Sequence, residues 1–583
     1  VKRRTPLARL LIALAASSLV AIAAGAADFG PISITDESGD FVQSSHGYRE
    51  LRFRVSNRDA KQHVVEIAAP AILYSGQPGT IRRMSRSIAL PARTEALLSM
   101  WQPQLNMTGA NAEVTVDGSV QTDKLPLNIG YSSGSGPLHI LASRSISEAN
   151  LRATLETVLR KEELSIETSA RTVGEWGPSW LGLTRNDAIV LREAELADAP
   201  PPVRLAVDRF VRAGGTLVTF EAAAPPAGCS ALEVRPDTLY RCNSGGFGTR
   251  FVTTAPEPAP LTTTEVDAWI GAMRDSLKPL SDASLAWSGG GPFRGPYGAT
   301  SPLRVVDGLT VPIRGLFVAM TLFAIVAGPV NLFFLAKQNR RIWILWTLPL
   351  LSIATCVVVI VYATVSEGWM RVARTEAVTL LDPATREATT VGWTGYYATV
   401  APNEGLTFGA ETELLAFGGA RQNELVLDWT RGQQLLGGWL TSRVATSFRI
   451  RKSEPRRERV EFRERPGGRL EALNGLGAPI ENLWVATPEG ELLVAGPIAP
   501  GASAELRHGV PVALAKAGEP ERLLWSGDWC AAVKDATAAP QSYLSPGRWM
   551  ASVGGAPFVE DALEGIKTRE QHSLVLGDLQ VER

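Results

Sequence analysis

The chain has 583 residues, enough for several domains with sizeable cores. Its 58 Lys and Arg balance 59 Asp and Glu to a formal net charge of -1, so a dominant basic surface for nucleic acid is excluded. Glycine (54) and proline (38) are somewhat rich, which favours turns and β-structure, and the 45% apolar fraction is ordinary but unevenly spread.

Lys2, Arg3, Arg4 and Arg9 precede an apolar run from Leu10 to Ala24, and Ala24-Gly25-Ala26 is a small-residue set of the kind that precedes cleavage. Residues 1–26 therefore read as a secretory signal peptide, with an uncleaved N-terminal anchor as the alternative. Residues 28–130 read as a β-sandwich with Ig-like strand spacing. Tyr48–Val55 alternates, placing Leu51, Phe53 and Val55 on one face and Arg52 and Arg54 on the other. Further strands are expected at His63–Ile67, Arg86–Leu90, Glu95–Met100 and Ala112–Val116. No Cys–Trp–Cys spacing marks a true immunoglobulin domain.

After the Gly130–Gly136 linker the texture becomes α/β over residues 137–285. Leu138–Ala142, Asp187–Leu191 and Thr216–Phe220 are short buried strands. Helices are expected from Glu148 to Leu159 and from Pro202 to Arg212. The second has an apolar stripe of Val203, Ala206, Val207 and Phe210 and a stop at Gly214-Gly215. Alternating strand and helix implies a parallel, flavodoxin-like sheet. Its ligand crevice is expected at the carboxyl ends of the strands, around Ala142–Ser145 and Glu193–Glu195, with Arg144, Arg192 and Glu193 as lining candidates. Solvated loop charge is the competing account. Cys229 and Cys242 bracket a segment with turn residues in its middle, which makes a disulfide the natural pairing in an oxidising compartment. Cys356 lies in an apolar run, and no CxxC pair exists.

Three segments carry a resemblance: Asn186-Asp-Ala-Ile-Val-Leu191, Ala206-Val-Asp-Arg-Phe-Val-Arg-Ala-Gly-Gly-Thr-Leu-Val218 and Gly245-Gly-Phe-Gly248. They resemble the class I glutamine-amidotransferase-like domains of membrane-anchored bacterial exoproteins. In that family an α/β domain is joined to β-rich domains and membrane spans. The run Val326–Leu335 with the basic loop after it, and the Gly496–Gly501 turn, are similar as well. The resemblance implies architecture more than activity. Thr219-Phe-Glu221 is followed by Ala- and Pro-rich sequence instead of a nucleophile elbow, and His139 is the domain's one histidine. A cysteine–histidine–carboxylate triad is therefore not expected.

Residues 286–314 form a linker containing Gly289–Gly298. Residues 315–336 and 342–365 are uncharged apolar runs, each long enough to cross about 30 Å of hydrocarbon as a helix. The loop 337–341 carries Lys337, Arg340 and Arg341 without an acid, which suits the cytoplasmic side. Gly328, Pro329 and Asn331 break the regularity of the first run. Pro329 should loosen one turn, and Asn331 needs a hydrogen-bond partner within the pair. Residues 370–565 return to strand texture, and 566–583 read as a polar, loosely ordered tail. Arg449–Glu471 holds nine basic and five acidic residues and reads first as the solvated face of a β-hairpin, second as a phosphate or lipid-headgroup patch.

The expected fold is thus a multidomain α+β membrane protein: N-terminal β-sandwich, flavodoxin-like α/β domain, two-helix hairpin, and C-terminal β-rich region. The expected location is a bacterial plasma membrane, with both large regions extracytoplasmic. No zinc motif, nucleophile elbow or phosphate loop is present in the sequence, so no catalytic residue, metal or cofactor is expected. The leading expectation is a non-catalytic scaffold or accessory subunit of an envelope or transport system, with the bilayer and other envelope proteins as partners and no nucleic acid. An envelope hydrolase with a fold-assembled site, and a solute or polysaccharide sensor using the α/β crevice, are the alternatives.

Overall fold

The computed structural model describes residues 26–38, 47–70, 81–103, 111–127, 138–147, 150–152, 166–224, 229–231, 239–243, 245–256, 303, 305–306, 313–338, 341–367, 370–417, 425–509, 513–515, 529–566 and 568–582. The signal segment, the linkers 130–136 and 289–298, most of the helix expected at 148–159, and residues 339–340 of the basic loop lie outside them. The fold is mixed α/β and mostly strand, arranged in several sheets.

The alternation in Tyr48–Asn57 has the effect it predicts. Leu51, Phe53 and Val55 are buried, while Arg54 is exposed. This strand pairs with Ile32–Asp36 and Glu95–Pro103 in a four-stranded sheet. That sheet shares a core with His63–Pro70, Ile81–Leu90 and Asn111–Val116, through Val65, Ile67, Met84 and Val114. The sandwich does not close within 28–130. Leu425–Asp428 pairs in parallel with Ile81–Ser85, so strands from beyond residue 400 complete the second sheet. An open edge presents a row of unpaired N–H and C=O groups, and here a distant segment satisfies it.

A separate sheet carries, among the described residues, five parallel strands. Their spatial order is Ile166–Arg171, Leu138–Ser143, Ala188–Arg192, Thr216–Phe220 and Thr249–Thr253, or 2-1-3-4-5 in chain order, followed by antiparallel Leu239–Asn243 and Cys229–Ala231. Strands covered on both faces read as continuous apolar runs, and Ala188, Ile189, Val190 and Leu191 are all buried. Helix Pro201–Arg212 packs its predicted stripe of Val203, Ala206, Val207 and Phe210 inward. Gly214 (φ 109°) ends the helix. Its N–H reaches Val211 O at 3.0 Å, and the Gly215 N–H reaches Phe210 O at 2.9 Å.

Among the described residues the largest sheet has nine strands. At its centre Arg371–Asp382 pairs antiparallel with Glu387–Ala398 and in parallel with Thr568–Asp578. The C-terminal segment expected to be a loose tail is thus an interior strand. Its Leu574, Val575 and Leu576 are buried, and every apolar residue needed for this lies in a short run that composition alone masks. A second correction concerns Arg449–Glu471. Arg459–Arg465 and Arg469–Gly475 do form the charged hairpin. Thr446–Pro455, however, is an inner strand of the large sheet, and Arg449, Arg451 and Lys452 are buried.

Among the described residues, two further helices are long and apolar enough to cross a membrane, with 6% of Met320–Lys337 and none of Ile344–Val361 buried inside the molecule. The first runs as Ile313–Ile325 and Asn331–Lys337, joined by a π-turn at Val326–Val330 around Pro329. Proline lacks an N–H and clashes with the preceding turn, and the wider turn takes up the misfit. Residues from either side of the pair pack together: Val305, upstream of it, lies against Val372 and Tyr397, downstream of it.

Candidate functional site

The carboxyl ends of three adjacent parallel strands converge on one polar cluster. Ser143 ends the first strand, Arg192 the second, and Glu221 follows the third. Glu195 lies in the helix Glu193–Asp198, which starts directly after Arg192. Its carboxylate accepts from Ser143 Oγ at 2.5 Å, from Ser145 Oγ at 2.8 Å and from the Arg192 backbone N–H at 3.1 Å. The Arg192 guanidinium pairs with Glu221 and donates to Ser145 Oγ and Ser145 O, each at 3.3 Å. Glu193 holds Arg250 with contacts of 2.6 and 2.7 Å.

Glu221 has a φ of 59°, the left-handed region that a non-glycine residue occupies at a cost. Its backbone N–H goes to Ala255 O at 3.0 Å and its carboxylate to Arg192, so it is held from both ends. The sharp bend is what turns a buried strand out toward its rim.

Of the three residues expected to line the crevice, Arg192 and Glu193 are in this cluster, each committed to an opposite charge. Arg144 is exposed beside it. Its backbone N–H donates to Arg171 O at 3.0 Å, and its guanidinium has no carboxylate partner among the described residues. Glu221 and Arg250 were not legible as members. Glu221 carried a usable signal, because it follows a buried strand at the same level as Ser143 and Arg192. Arg250 is a half-buried residue within a strand and carried none.

The cluster's chemistry is that of a braced rim. The serine hydroxyls are aimed at a carboxylate and, among the described residues, have no imidazole beside them. His139 lies at the amino end of the strand that Ser143 ends; it is buried, and its backbone N–H donates to Asp187 Oδ2 at 2.7 Å. Cys229 is bonded to Cys242, its register partner on the neighbouring strand. Among the described residues, no group of three or more His, Cys, Asp or Glu is placed to hold a metal ion.

In the apolar pair, Asn331 Nδ2 donates to Thr347 Oγ1 at 2.9 Å, across to the second helix. The Asn331 backbone N–H reaches back to Val326 O, the bond that defines the π-turn containing Gly328 and Pro329. Of the three residues read as packing features, Asn331 is the one bonded to the second helix; Gly328 and Pro329 lie in the π-turn, and a Cβ added at Gly328 would meet no atom within 4 Å.

The three units meet at Tyr48. Its N–H donates to Thr184 Oγ1 at 2.9 Å in the α/β unit, and its buried hydroxyl accepts from Leu414 N at 3.1 Å and Gln433 Nε2 at 2.6 Å in the C-terminal region. Burial pushes its phenol well above the usual tyrosine range. Helix Pro201–Arg212 is tied to the large sheet by Arg209–Glu387 (2.9 Å) and Arg212–Asp382 (2.9 Å).

No protein-family model matches the chain, and no curated protein matches it.

Proposed function

We propose that the chain is a non-catalytic, membrane-anchored scaffold or accessory subunit whose two large regions stand together on the extracytoplasmic side of a bacterial plasma membrane. The observation that carries this is the bareness of the helix pair. Twenty large apolar side chains between Phe317 and Val361 are exposed. At roughly 1.5–3 kcal/mol for each large apolar side chain kept from an apolar environment, the total runs to tens of kcal/mol. That exceeds the roughly 5–15 kcal/mol net stability of a typical domain, so water is the wrong solvent for this surface and hydrocarbon the right one.

The proposed sidedness is supported by the corner where Val305 meets Val372 and Tyr397. Flanks that pack together favour both lying on one face of the membrane, and Lys337 at the far turn suits the cytoplasm. The parallel-strand order 2-1-3-4-5 is the flavodoxin-like order, which supports the amidotransferase-like reading of the α/β unit. The commitment of Ser143, Ser145, Arg192 and Glu195 to one another supports a binding or bracing role over hydrolysis. Welding of all three units at Tyr48 favours one rigid platform for envelope partners.

Reporter fusions before residue 310 and after residue 370 test the topology. Both are expected to be active only outside the cytoplasm, and activity on opposite faces overturns the reading. Purification from membranes in mild detergent is expected to recover a stoichiometric membrane or envelope partner; recovery of the chain alone at native abundance overturns the accessory role.

A further inference from the structure

The far end of the large sheet holds a groove of about 280 Å³ between the turn after Arg371–Asp382 and the start of the charged hairpin. Its apolar wall includes Leu381, Val460, Phe462 and Trp549, all buried. Five carboxylates line it, and each is already held by a cation. Asp382 pairs with Arg212 at 2.9 Å, Glu387 with Arg209 at 2.9 Å and Glu458 with Arg456 at 3.1 Å. Glu461 pairs with Arg459 at 2.5 Å and Asp578 with Arg548 at 3.1 Å.

Two lining guanidinium groups are left over. Arg386 and Arg457 are exposed and have no carboxylate partner among the described residues. They stand on two neighbouring segments of the rim, which are joined where the Arg456 N–H donates to Arg386 O at 2.8 Å. Arg386 stands at φ 57°, a strained conformation for a side-chain-bearing residue that a glycine would adopt freely. The strained position therefore carries a charged side chain that no carboxylate of the described fold employs.

We infer that this groove is a binding site for a small oxyanion-bearing solute, a phosphate or carboxylate held by Arg386 and Arg457, with its apolar body against the wall at Phe462 and Trp549. The volume sits just below the roughly 300–1,000 Å³ usual for small-ligand pockets, which limits the occupant to a small molecule. Planar guanidinium pairs are suited to bidentate oxyanion recognition. A lipid headgroup offers the same chemistry. The groove, however, lies at the end of Arg371–Asp382 remote from the apolar helices, and eleven residue steps at about 3.3 Å set it some 36 Å from them. A free solute is therefore the source that fits.

The test is calorimetric titration of inorganic phosphate into the full-length protein in phosphatidylcholine nanodiscs. Saturable binding is expected, weakened about tenfold or more by R386G and by R457Q and unchanged in R465Q, a hairpin arginine outside the groove that pairs with Glu471. R386G also relieves the left-handed strain, so it separates lost binding from lost folding: its melting temperature is expected to match or exceed the parent's. Absence of saturable binding up to about 10 mM phosphate, below which even a weak site should fill, overturns the site, as does parental affinity in R386G and R457Q. Loss of phosphate binding when phosphatidylglycerol replaces phosphatidylcholine overturns the free-solute assignment in favour of a headgroup.

Discussion

Arg451 and Glu413 face each other across neighbouring strands of the large sheet and form an ion pair with side-chain exposures of 5% and 8%. Arg451 also donates to Ala213 O at 3.2 Å, at the end of helix Pro201–Arg212. One guanidinium thus joins two strands and the α/β unit. Removing one partner of such a pair leaves a charge in a low-dielectric interior. Glu413→Gln is expected to cost about 3–5 kcal/mol, measured by denaturant unfolding in detergent, whereas the double change Glu413→Leu with Arg451→Met should recover most of the loss. Equal destabilisation by the double change would show that the pair does more than neutralise itself.

The strand Thr568–Asp578 lies between Arg371–Asp382 and Arg548–Gly554. Truncation after residue 567 exposes both neighbours' backbone groups and uncovers the core around Leu574 and Leu576. Such a chain is expected to be degraded rapidly, with limited proteolysis cutting throughout residues 370–566. A protease-resistant truncated product would contradict the interior placement.

His63 bridges Asp117 (2.6 Å) and Asp59 (3.0 Å). The hydrogen bonds its ring donates to Asp117 and then to Asp59 raise its pKa, and those of both aspartates are lowered. The raised histidine contributes stability that is full below its unfolded value near 6.5 and fades as pH rises through the folded value. The lowered aspartates contribute above their unfolded value near 3.9 and lose it as pH falls through theirs. The difference in melting temperature between parent and H63Q should therefore be largest at about pH 5.5 and shrink by about pH 9. A difference that grows with pH would refute the assignment.

Asn331→Leu and Thr347→Val each remove the bond between the apolar helices. Each is expected to weaken the pair by about 0.6 kcal/mol, near the average for polar contacts between membrane helices, and together no more than either alone. Steric trapping or forced unfolding in bilayers reads this out, and additive losses would mean that the two side chains act separately.

With Cys229 and Cys242 bonded, two of the four cysteines should take up alkylating reagent in the denatured, unreduced protein and all four after reduction. Four reactive thiols before reduction would exclude the bond.

The features that could be read along the chain are those set by neighbours within a few residues. The alternation of Leu51, Phe53 and Val55, the stripe on Pro201–Arg212 with its Gly214 stop, the two uncharged runs and the Pro329 irregularity all follow from backbone geometry and local burial. Even the partner required by Asn331 was foreseeable, because an amide in an apolar pair has few alternatives. What could not be read was partnership across hundreds of residues. The buried state of Arg449, Arg451 and Lys452, the joining of Ile81–Leu90 to Leu425–Asp428, and the interior position of Thr568–Asp578 each depend on a distant strand or charge. A side chain's type states what it requires, a counter-charge or a ladder of hydrogen bonds. Which group meets that requirement is settled by chain topology, and there sequence distance carries little information.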